Sequence, residues 1–174
     1  MSIAFISSGC GQNDDTPPPL CEVNTQQFAD EGQFHAPEGT GLTFGSNPPN
    51  SGTHFPVWGR YGKHDEVLER GYYVHNMEHG AVVLLYKCNG ACPEITNALQ
   101  EVMDSRPADS SCFANVKNRL VLTADPLLDV PVAAAAWRNT YRAQCVDAPS
   151  LKKFIATYYG KGPEDTCAEG SVPL

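Results

Sequence analysis

A chain of 174 residues with a formal net charge of -8 and no lysine/arginine cluster presents little for a phosphate backbone to bind, which argues against a nucleic-acid partner. No apolar run approaches the ~20 residues of a membrane helix, and the length suits one folded domain. With 15 glycines and 14 prolines, many in the first half, much irregular backbone is expected there.

The chain opens on a short apolar segment ending in Ile6-Ser-Ser-Gly-Cys10. It reads as the end of a bacterial lipoprotein signal without its basic n-region, the alternative being an ordinary N-terminal tail. On the first reading Cys10 is lipidated and is the only membrane attachment, and the protein is exported: periplasmic, on the outer membrane or at the cell surface. Residues 1–20 are then a signal remnant and a polar, Pro-rich flexible tether, and residues 21–174 a single α+β domain. The other six cysteines (Cys21, Cys88, Cys92, Cys112, Cys145, Cys167) suit three disulfides in an oxidising compartment. Cys112 is expected to close onto the Cys88–Cys92 segment and clamp the helix between them.

Residues 44–54, Phe44-Gly-Ser-Asn-Pro-Pro-Asn-Ser-Gly-Thr-His54, form a long loop, with Trp58 and Tyr61 placed to pin it to the core. Strands are expected at 72–74 and 81–86, then a helix over 94–105 behind Pro93. A strand over 119–124 is expected to pair with another over 132–142. A second helix over 147–159 has Asp147 as N-cap and Gly160 as its stop. These elements predict an α+β fold: a mainly antiparallel sheet with two helices packed on one face and a loop-rich, disulfide-bonded N-terminal half.

The chemistry concentrates in Val74-His-Asn-Met-Glu-His-Gly80. As letters it is H-x-x-E-H, a zinc-peptidase signature whose two histidines meet one metal because they share a helix face. A strand-like 72–74 before it and an aliphatic run after it leave room for one helical turn, which argues against that reading. A tight turn can still converge His75 and His79, with His54 from the long loop as a third ligand and His35 near by in sequence pattern. Glu78 is a fourth ligand or orients an imidazole. His64 reads as a solvated surface histidine. In the competing reading the histidines are structural and Glu78 only holds the turn together.

The segment Asn47-Pro-Pro-Asn-Ser-Gly-Thr-His54, then Trp58-Gly59 and Tyr61, then Val74-His-Asn-Met-Glu-His-Gly80, resembles the bacterial domain of unknown function 3105. Its members carry N-P-P-T-S-G-P-H and H-N-L-E-H-G in this order. The likeness runs from His35 to the Gly160-Lys-Gly-Pro163 region. It implies an exported or anchored protein, and it places the motif histidines on His54, His75 and His79, the acid on Glu78 and an earlier histidine on His35. The chain departs at Asn50, Thr53 and Met77; a leucine in the family at the last position suggests packing rather than soft-metal ligation.

Together these readings predict an exported lipoprotein that binds a transition metal through the histidine cluster, copper slightly ahead of zinc on intrinsic affinity. Two alternatives stand beside it. One is a metal-dependent enzyme with Glu78 as acid/base; the other is a disulfide-stabilised interaction module with structural histidines. No protein partner is named by the sequence.

Overall fold

The computed structural model describes residues 21–113 and 115–174, so the expected lipid site at Cys10 and the tether lie outside the described residues. Among the described residues the strands are β1 (Val23–Gln27), β2 (Gly62–Lys63), β3 (Val82–Tyr86), β4 (Leu120–Ala124), β5 (Val132–Ala136) and β6 (Asn139–Ala143). They form one sheet in the order β1-β6-β5-β3-β4-β2. The helices are α1 (Arg70–Glu78), α2 (Pro93–Asp104) and α3 (Ala148–Tyr158).

The class is α+β, but the sheet is mixed rather than mainly antiparallel. β1, β6, β5 and β3 pair antiparallel, whereas β3–β4 and β4–β2 are parallel. The reason lies in the connection: α2 separates β3 from β4, and a helical crossover returns the chain in the same direction. The strand expected over 132–142 is instead the β5–β6 hairpin, turning where Arg138 adopts φ 63°. Its neighbours in the sheet are β3 and β1, not the expected 119–124 strand.

α2 and α3 pack on one face as expected. Leu99, Val102 and Met103 join Leu151, Phe154 and Ile155 over Val82, Leu84, Leu120, Leu122 and Ala134. Asp147 caps α3, accepting from the Ser150 backbone N–H at 2.8 Å. The opposite face carries the third helix. Tyr73, Val74 and Met77 of α1 cover Val83, Leu85, Val121, Ala133 and Ala135. Residues 72–74 are thus helical, correcting the expected strand. Seven of the nine α1 residues are buried, so the helix has no polar face from which a helical stripe can be read, and its Tyr-Tyr-Val mimics a strand.

Among the described residues there are three disulfides: Cys21–Cys145, Cys88–Cys92 and Cys112–Cys167. The expected closure of Cys112 onto the Cys88–Cys92 segment is incorrect. Cys88 and Cys92 join each other ahead of α2, and Cys112 fixes the loop after α2 to the C-terminal segment.

Candidate metal centre

The long loop lies against α1 and is buried over most of residues 48–55. A short parallel bridge joins His35 to His54. In it the His54 N–H donates to the Phe34 carbonyl at 2.9 Å and the Ala36 N–H to the His54 carbonyl at 2.7 Å. This pairing sets the two imidazoles side by side, with ring centroids 4.8 Å apart. Gly71 admits the loop to the helix, because a Cβ there would collide with the Phe55 ring. The Phe55 carbonyl consequently reaches His75.

A carbonyl only accepts, so the contacts of the inner imidazoles define their tautomers. His54 Nδ1–H donates to the Gly52 carbonyl at 2.8 Å, and His75 Nδ1–H to the Phe55 carbonyl at 2.7 Å. Each Nε2 therefore presents a lone pair to the centre. Glu78, one turn after His75 on α1, sends Oε2 there: 3.0 Å from His54 Nε2 and 3.7 Å from Nε2 of both His75 and His35. His54, His75 and Glu78 are buried, while the His35 side chain is 47 % exposed and forms the open side. Burial holds the His54 and His75 pKa values below their ordinary value and raises that of Glu78. The four side chains each offer a ligand atom, all within 4.8 Å of one another. Tetrahedral bonds of 2.0–2.1 Å separate neighbouring ligand atoms by about 3.3 Å, so the group can hold a metal ion.

His79 caps the C-terminal end of α1 and joins an adjoining group. A carboxylate oxygen of Glu78, a ring nitrogen of His79 and a carboxylate oxygen of Glu164 lie within 4.8 Å of one another. His79 Nε2 is 3.2 Å from Glu164 Oε2, and burial pushes the imidazole pKa down to about 4. Trp58 packs against His75 and His79, its ring centroid 4.4 Å from that of His79 and 5.1 Å from that of His75. Asn76 holds the Trp58 segment in place by pairing with both polar groups of the Gly59 backbone, at 2.8 and 3.0 Å.

Glu164 is a site residue that sequence reasoning missed. The loop carrying it is laced to the end of α1. The Gly160 N–H donates to the Gly80 carbonyl at 2.8 Å, and the Glu164 N–H to the Glu78 carbonyl at 3.0 Å. Gly162 lies directly on the Met77 and Glu78 carbonyls, where no Cβ fits. The one visible signal was the glycine pair around Lys161, which marks a close approach without naming its partner.

Two further expectations are corrected. His64 is buried, not solvated: β2 pairs with β4, the His64 N–H donates to the Leu122 carbonyl at 2.8 Å, and its Nε2–H donates to the Arg60 carbonyl at 2.8 Å. The H-x-x-E-H run also falls on the last turn of a helix, with His79 at its C-cap, so the ground given against the peptidase reading fails. The ligand grouping supplies a different one. Among the described residues, no three-ligand group contains both His75 and His79. Met77 lies in the apolar cluster under α1.

Neither a search of curated proteins nor one of solved structures finds a match to the chain. The family described as "Protein of unknown function (DUF3105)" matches residues 35–170, a span that opens on His35 and encloses His54, His75, Glu78, His79 and Glu164. The chain belongs to that family.

Proposed function

We propose that this protein binds a transition-metal ion through His54 Nε2, His75 Nε2, Glu78 and His35, and that it does so as an exported lipoprotein. The observation that carries the reading is the meeting of three acceptors. Two imidazole lone pairs, fixed by Nδ1–H bonds to backbone carbonyls, face one carboxylate oxygen at 3.0 and 3.7 Å. A single proton on Glu78 answers one imidazole and leaves the other unmet, whereas one cation answers all of them.

The donor set narrows the metal. The six domain cysteines are paired and Met77 is in the core, which leaves imidazole and carboxylate donors. Those suit copper(II) and zinc better than copper(I), with copper(II) ahead on intrinsic affinity. Three disulfides support an oxidising compartment. A catalytic reading has one supporting observation, the exposed His35 edge through which a small molecule reaches the ion. Glu78 lies within the ligand set, which favours ligation over the acid/base role.

The test is copper(II) and zinc titration of chelator-stripped protein carrying no histidine tag, with elemental analysis. A tight ion is expected in the wild type and is lost in His54→Ala and in His75→Ala. Tight binding that survives in both variants overturns the proposal.

A further inference from the structure

His79 presents a problem that the first group does not solve. Its side chain is buried, and its Nδ1 has no hydrogen-bond partner among the described residues. Either neutral tautomer leaves a buried nitrogen unanswered. With the proton on Nε2, Glu164 is satisfied and the Nδ1 lone pair is orphaned. With the proton on Nδ1, that donor is unpaired and the Nε2 lone pair faces the Glu164 carboxylate at 3.2 Å. An unmet buried polar atom of this kind calls for an explanation; a cation taken by Nδ1 would supply one while Nε2–H still donates to Glu164. The surroundings are built rather than incidental. Trp58 stands against the ring, Arg119 donates to the His79 carbonyl at 3.1 Å, and the 160–165 loop is laced onto the helix end that presents Glu78 and His79.

We propose a second cation site formed by Glu78, His79 and Glu164, with the Glu78 carboxylate shared between it and the first site, so that the two together make a binuclear centre. The inference rests on the reading of the first group as a metal site. A shared carboxylate suits two ions about 3.5–4 Å apart, the spacing of two-metal sites that clamp an oxygen ligand between them. The sites differ in donors. The first offers three imidazoles and one carboxylate; the second offers one imidazole and two carboxylates, and the Glu164 side chain is 56 % exposed. The second therefore takes a harder divalent ion, keeps more water ligands and exchanges faster.

The experiment is stepwise copper(II) loading of the full, stripped protein, followed by electron paramagnetic resonance and by calorimetry. At one equivalent an isolated copper signal is expected. At two equivalents the expected result is a coupled pair, seen as lost intensity and a half-field transition. The second binding step should be at least about tenfold weaker than the first, in keeping with its fewer imidazoles. Glu164→Gln, an exposed and conservative change, should keep the first ion and abolish the coupling at every loading; His79→Asn should do the same. If the wild type saturates at one uncoupled copper, or if Glu164→Gln and His79→Asn both retain the coupled pair, the second site is wrong while the first stands. Absence of any tight ion overturns both.

Discussion

The two faces of the sheet are built on different terms. The face under α2 and α3 is apolar and regular: two amphipathic helices, one capped by Asp147, lie over alternating strand positions. The face under α1 carries one nearly engulfed helix and a buried loop, and it holds His54, His75, Asn76, Glu78 and His79 out of water. Burial on the first face removes hydrocarbon from solvent and stabilises the fold. On the second it removes imidazoles and a carboxylate from solvent, which costs stability unless each is paired. The contrast separates a face that holds the molecule together from one that gathers a group able to hold a metal ion.

The sharpest way to break this contrast is to damage each face and read both properties. Phe154→Ala removes the ring that packs against Tyr141 and Tyr158 and should cost about 3–5 kcal/mol in chemical denaturation, with metal stoichiometry of the folded fraction unchanged. A loss of metal in that variant would show that the faces are not independent. Asn76→Ala leaves the buried Gly59 N–H and carbonyl unpaired; it should cost about 1–3 kcal/mol and also weaken metal binding, because Trp58 loses its anchor beside His75 and His79. Glu78→Gln should act in the opposite sense on stability, raising that of the metal-free protein at neutral pH on the order of 1 kcal/mol by removing a buried charge, while metal affinity falls. A melt showing destabilisation would mean that the carboxylate is already paired without a metal.

The smallest effect is that of pH. Burial keeps His54, His75 and His79 neutral, so on acidification the unfolded chain takes up protons first. Metal-free stability from these groups is therefore full above about 6.5 and declines toward the His79 value of about 4. Glu78 runs the other way. Its folded carboxyl favours the proton, so its contribution is full below 4.5 and fades as the pH rises through its raised value. Thermal melts over this range should show the acid decline, and His79→Asn should flatten its lower part.

The regular face was legible from sequence because its signals are local. Pro93, Asp147 and the helical recurrence of Leu99, Val102 and Met103, or of Leu151, Phe154 and Ile155, need no knowledge of the partner strand. The functional face was legible by chemistry and not by conformation. The histidines and Glu78 stood out as a cluster, yet the helix that carries His75 and Glu78 and is capped by His79 was read as strand and turn, since a helix buried all round shows no stripe. Glu164 was invisible because its place depends on a glycine contact between chain ends of α1 and α3 that no window of sequence contains. The β3–α2–β4 crossover was available in principle, for the expected elements already placed a helix between those strands.

The carbonyl anchors on His54 and His75 carry one last consequence. Each ring is aimed by its own backbone, and the face behind it is closed by a hydrocarbon core, so the imidazoles are oriented by the fold itself. Small metallo-domains commonly fold only around their ion; here the orientation of the two rings comes from backbone carbonyls and core packing. On the proposed reading, gain and loss of an ion leave these anchors in place, which makes occupancy a reversible variable rather than a condition of folding.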